Sequence, residues 1–203
     1  MLVDLVRDFF FLFAVIDPIG SIPVFMEATK NFDSKTKSKI AFRSTLYAAL
    51  ILLFFVVVGQ FIMEAMHISL YAFQISGGLI LFLFALTMVL GEGRPEEGKN
   101  LIKDYTHVTI FPIAIPGIAS PGAIMAVVLL TDNKRYTILE QFETTMMAML
   151  VLLLTWLLLL AAKRIQERIG EAGITVISKI MGLILASFAI QNILSGIKDY
   201  FSL

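Results

Sequence analysis

The chain reads as an all-α membrane protein of six transmembrane helices. They are expected to form two inverted three-helix repeats, with helices 1 and 4 discontinuous. Three observations predict this. The 203 residues are 58% hydrophobic and 16% charged, with a mean hydropathy of +0.87, whereas soluble domains are about 45–50% apolar even with glycine counted. The charges cluster in short loops, and the runs between them are long enough to cross lipid. Two of those runs are broken by proline pairs at equal spacing, Asp17-Pro18-Ile19-Gly20-Ser21-Ile22-Pro23 and Pro116-Gly117-Ile118-Ala119-Ser120-Pro121-Gly122.

The spans follow in order. Residues 9–26 form the first and contain one charge, Asp17. It reads as a retained span rather than a signal peptide, because Asp4 and Asp8 outnumber Arg7 and no basic leader precedes it. Residues 44–63, 65–91, 105–131, 144–162 and 180–197 contain no Asp, Glu, Lys or Arg. Each has about 18 residues or more, enough for roughly 30 Å of hydrocarbon. Glu64 alone separates spans two and three, which implies a tight turn.

Basic residues set the expected orientation. Lys30, Lys35, Lys37, Lys39, Arg43, Arg94, Lys99, Lys103, Lys163, Arg164, Arg168 and Lys179 fall on one side, and Arg7, Lys134, Arg135 and Lys198 on the other. Twelve against four places the basic loops in the cytoplasm and both termini outside, in a multi-pass cell membrane protein. The basic run at residues 30–43 also reads as an anionic-lipid patch, although orientation alone accounts for it.

An internal repeat supports a duplicated unit. Gly78-Leu79-Ile80-Leu81-Phe82-Leu83-Phe84-Ala85 and Gly182-Leu183-Ile184-Leu185-Ala186-Ser187-Phe188-Ala189 share the pattern G-L-I-L-x-x-F-A. The proline pairs are offset by a similar distance. Repeat one is taken as residues 1–104 and repeat two as 105–203. Three spans is an odd number, so the second copy is inverted, and inverted repeats place substrate at their interface near the midplane.

Proline inside a helix removes a hydrogen bond and costs about 3 kcal/mol. Irregular backbone at membrane depth is tolerated only where protein or a wet cavity covers it. The breaks are therefore the candidate binding site: Asp17, Pro18, Gly20, Ser21, Gly117, Ala119, Ser120 and Gly122. Asp17, at mid-span, costs at least ~2.5–3.5 kcal/mol to insert. It either caps a half-helix starting at Pro18 or takes part in coordination or coupling. Ser120-Pro121 carries the same capping signature. Half-helix N-termini suit a carboxylate and freed carbonyls suit an ammonium group, so a small zwitterion fits both. Gly77, Gly78 and Gly182 are read as helix-packing residues. Gln191 and Asn192 are read as hydrogen-bonding across helices, and Gln74 and Ser76 as pocket-facing or capping.

The chain has no cysteine, which excludes thiol redox relays and Cys-based metal sites. His67 and His107 lack metal-ligand partners at useful spacing. No nucleotide loop or nucleophile–base pair is visible, so neither an enzyme nor an ATP-driven pump is expected. The net charge of zero gives no sign of a nucleic-acid partner.

The segments D-P-I-G-S-I-P-V-F (Asp17 to Phe25) and I-P-G-I-A-S-P-G-A-I (Ile115 to Ile124) resemble the two signature regions of the MarC family, and the likeness extends over essentially the whole chain. That family includes an archaeal small neutral amino acid transporter. The resemblance implies an inner or plasma membrane protein with discontinuous helices one and four, carrying glycine and alanine. Ser120 stands where the family often has glycine, adding a hydroxyl. The expected function is a secondary transporter for small neutral amino acids working by alternating access. No cofactor is expected, and the coupling ion, proton or sodium, is left open. The alternatives are a non-transporting membrane scaffold or accessory subunit, or an exporter of another small solute.

Overall fold

The computed structural model describes residues 2–90 and 105–201, and every regular element among them is helical. Arg94, Lys99 and Lys103 lie outside the described residues, as does residue 104, where the first repeat was taken to end.

Helices α1 (Leu2–Ile16) and α2 (Ser21–Ala28) together make the first candidate span, Asp4–Ala28. Helix α1 stops because Pro18 has no N–H to offer the Ala14 carbonyl. Asp17 then takes a positive φ of 50°, a conformation that Asp tolerates better than most residues. Both the N–H and the hydroxyl of Ser21 reach back to the Asp17 carbonyl, at 3.1 and 2.9 Å. The half-helix therefore starts at Ser21, not at Pro18 as the Asp-Pro signature suggested. Asp17 instead pins the intervening turn, its Oδ1 accepting from the Gly20 N–H at 2.9 Å.

Helix α3 (Ser34–Ala65) is capped by Asp33, which accepts from the Lys35 N–H at 3.2 Å. It starts well before residue 44, because lysine and arginine are good helix formers and do not end a helix where the hydrocarbon ends. A short turn leads to α4 (Leu70–Leu90). Helix α5 (Tyr105–Val108) runs into an irregular, wide-turned stretch, Thr109–Ile118, that holds Pro112 and Pro116. Its backbone is extended at Phe111 and Ile115, and the Ala119 N–H reaches five residues back to Ala114 at 2.8 Å. Helix α6 (Pro121–Leu130) leaves this stretch at 54°. Helix α7 (Ile138–Leu160) begins in a Thr137–Glu140 capping box, ahead of residue 144. Helix α8 (Ala162–Phe201) is interrupted at Gly170, whose φ of 73° is open to glycine but strained for other residues. Among the described residues five spans meet the length and apolarity needed to cross a membrane, and the bent pair, taken as one span, makes a sixth.

The first span and α6 are the most enclosed, while Ile110 and Ile115 of the irregular stretch are exposed. Of the most apolar window of each span, 56% is buried in the first, against 22%, 28%, 33% and 22% in α3, α4, α7 and α8. Helix α6 buries Gly122, Ala123 and all of residues 125–129. The outer helices turn Val57, Phe61, Leu83, Leu153 and Leu183 outward. This is the arrangement that lipid requires, since backbone groups freed by proline must be covered by protein.

Helix α1 packs on α7 and the Thr109–Ile118 stretch on α3; α1 meets α6, and α2 meets Thr109–Ile118. The most extensive pairing joins α4 and α8, which run antiparallel. Their contacts are reciprocal. A Cβ on Gly78 would lie 3.0 Å from the Ala189 carbonyl oxygen, and one on Gly182 would lie 3.1 Å from that of Ala85. Ile193 and Val89, each one turn beyond its alanine, flank the two glycines in the same way. The repeated G-L-I-L-x-x-F-A segments therefore pack against each other, glycine to alanine, and the glycines serve close helix approach.

Candidate functional site

The two breaks meet inside the bundle. Ser120 caps α6: its backbone is extended (φ −69°, ψ 157°) and its Oγ accepts from the Ala123 N–H at 3.1 Å. The same hydroxyl donates to the carbonyl of Val15, in the last turn of α1, at 3.4 Å. Gly122 presses on that end of α1 too, since a Cβ there would lie 3.3 Å from Val15 Cγ1 and 2.6 Å from Leu81 Cδ2. The breaks are thus joined through Val15, two positions before Asp17.

All the sequence-predicted residues except Gly20 are buried. Asp17 and Ser21 are each 4% exposed and Ser120 is 1% exposed. Pro18, Gly117, Ala119 and Gly122 are buried, and Gly20 is half-buried. Asp17, Gly20 and Ser21 form one local hydrogen-bonded unit on the first break. Ser120 and Gly122 line the contact with α1, and Gly117 approaches the Pro112 carbonyl so closely that a Cβ would sit 2.7 Å from its oxygen.

The backbone supplies the chemistry. Position i+4 from Ala14 is Pro18 and from Gly117 is Pro121, so neither carbonyl has a helical donor. The Gly122 N–H lies in the first turn of α6 and has no acceptor within that helix. The start of α6 lies against Val15 in the last turn of α1, in a low-dielectric interior where each polar contact is worth more than in water.

Sequence reasoning missed two buried carboxyl groups, Asp8 and Asp132. Asp8, 7% exposed, accepts from the Thr144 hydroxyl at 3.0 Å and from Arg7 at 3.3 Å, tying α1 to α7. Asp8 falls just before the first apolar run, and no local pattern marks it as buried. Gln74 on α4 and Asp132 beyond α6 are also buried, and Gln74 Oε1 and Asp132 Oδ2 have no hydrogen-bond partner among the described residues. Burial pushes the neighbouring Tyr136 hydroxyl above its ordinary pKa. Gln191 does not bond across helices: it is exposed and reaches Ser195 on its own helix at 3.3 Å. Among the described residues no group of three His, Cys, Asp or Glu could hold a metal ion.

Comparison with known proteins covers nearly the whole chain. The family model described as MarC family integral membrane protein matches residues 2–201. A UPF0056 membrane protein of Methanocaldococcus jannaschii is 34% identical over 190 residues, 92% of each chain. One from Pyrococcus horikoshii is 34% identical over 95% of this chain and 93% of its own. One from Aquifex aeolicus is 30% identical over 96% and 92%. No solved structure matches.

Proposed function

Because the chain belongs to the MarC family of integral membrane proteins, we propose that it is a secondary transporter for small neutral amino acids such as glycine and alanine. The observation that carries this reading is the Ser120–Val15 contact, which joins two proline-broken segments at the centre of the bundle. A scaffold has no need to put its least regular backbone there, where every unpaired polar group is costly.

In this reading the substrate carboxylate takes the Gly122 N–H in the first turn of α6, beside Ser120 Oγ. Its ammonium group takes the Ala14 and Gly117 carbonyls, which proline deprives of their i+4 donors. Gly117, Ala119, Ser120 and Gly122 contribute almost no side-chain volume, so selection favours side chains no larger than a methyl group. Asp17 holds the first break in shape through Gly20, and its carboxylate is the candidate coupling group for a proton or sodium ion.

The helix contacts support an inverted pair of three-helix units. Exchanging span one with four, two with five and three with six carries α1–α7 onto the contact of Thr109–Ile118 with α3, and α1–α6 onto that of Thr109–Ile118 with α2. It maps α4–α8 onto itself, with Gly78–Ala189 becoming Gly182–Ala85. Alternating access then follows as movement of one unit against the other around the joined breaks. In this reading both termini lie outside and the lysine-rich loops in the cytoplasm, which the excess of basic residues on one side supports. Reconstitution into liposomes tests the reading. Labelled glycine and alanine should show saturable uptake under an imposed ion or substrate gradient, and flux no greater than in empty liposomes would reject it.

A further inference from the structure

On the lysine-rich face lies a cavity of about 430 Å³, between the end of α2, the first turns of α3, the end of α7 and the start of α8. Its lining begins at Phe25, four residues beyond Ser21 of the first break, and its walls are of two kinds. Lys37 and Lys163 contribute ammonium groups from different helices, with the hydroxyls of Ser34 and Ser38 on the same face of α3 as Lys37. Met26, Phe32 and Leu160 contribute an apolar floor where the 23-residue apolar α7 ends, with Phe25 and Leu159 buried behind it.

We propose that this cavity seats an anionic phospholipid, its phosphate between Lys37 and Lys163 and the start of its acyl chains on Met26, Phe32 and Leu160. Charge complementarity decides the headgroup. Lys37 is half-buried and forms no ion pair among the described residues. Lys163 has only an exposed contact with Glu167 at 3.8 Å, a type of pair worth little in water. Two cations without strong counterions beside bilayer-level apolar surface suit a phosphodiester that carries hydrocarbon. A free inorganic anion would leave the floor unused, and a zwitterionic lipid would cancel part of the attraction. This inference does not depend on the transport reading.

The test uses purified full-length protein in detergent, with added phosphatidylglycerol, phosphatidylcholine or inorganic phosphate. Lipid binding is read by native mass spectrometry and by the shift in thermal unfolding. Phosphatidylglycerol should bind and stabilise, and phosphatidylcholine should do so far less. The double variant Lys37→Gln/Lys163→Gln should bind phosphatidylglycerol about 10- to 30-fold more weakly. Lys37→Arg/Lys163→Arg should keep binding, and so should Lys35→Gln/Lys39→Gln, which removes the same charge from the same face outside the cavity. Equal stabilisation by both lipids would overturn the proposal, as would equal loss in the Lys35/Lys39 variant. Displacement of phosphatidylglycerol by millimolar inorganic phosphate would make this a free-anion site and defeat the lipid assignment. If the glutamine pair fails to fold, the arginine pair and the phosphate competition still decide the matter.

Discussion

Ser120 gives the sharpest prediction, because its hydroxyl serves two partners and alanine and glycine remove it in different ways. At an N-cap, replacing serine by alanine typically costs about 1 kcal/mol, whereas glycine costs only a few tenths. The bond to Val15, at 3.4 Å, lies beyond the usual range for O–H donors, so it adds little. Ser120→Ala should therefore lose about 1 kcal/mol, or about 2–4 °C in unfolding temperature for a chain of this size. Ser120→Gly should lose less than half of that. The assay is thermal unfolding of the purified protein in detergent, followed by emission from its single tryptophan, Trp156. The expected order is wild type, then glycine, then alanine. An alanine variant as stable as the glycine variant, or more so, would refute the capping argument and with it the view that α6 starts at a fixed backbone stop.

Three further outcomes follow from the packing. Gly20→Ala places a methyl group 1.9 Å from Asp17 Oδ2, so the carboxylate must leave the Gly20 N–H; the loss should be about 2–3 kcal/mol, read from denaturant midpoints. Gly78→Leu and Gly182→Leu should destabilise by similar amounts, each about 1–3 kcal/mol, because the two glycines face equivalent carbonyls; one severe and one silent variant would contradict reciprocal packing. In a double-mutant cycle, Asp8→Asn and Thr144→Val should show a coupling of about 1 kcal/mol, and additive effects would show that the 3.0 Å contact contributes nothing.

The parts of this fold that the sequence reveals are those written in local chemistry. Proline removes donors wherever it stands, so both breaks were visible, and Ser120-Pro121 marked the start of α6 correctly. The repeated G-L-I-L-x-x-F-A segments were also visible, although their packing against each other appears only once α4 and α8 are seen antiparallel. Helix ends were the weak point. Runs free of charge measure hydrocarbon, not hydrogen bonding, so α3 and α7 begin earlier than their apolar runs. The Thr137–Glu140 capping box and the Asp33 cap carried that information in the sequence. Asp17-Pro18 misled because the chain inserts a turn before α2, which Gly20 permits. The Asp8–Thr144 bond was not legible, since it depends on α1 lying beside α7, a pairing that no local pattern encodes.

The central claim is that the joined breaks hold a small amino acid by its two charged ends. A structure of the protein with alanine bound tests this most directly. The account predicts the carboxylate at the start of α6, near Ser120 and Gly122, and the ammonium group at the Ala14 and Gly117 carbonyls. Alanine bound elsewhere in the bundle, with the Ser120–Val15 contact undisturbed, would contradict it.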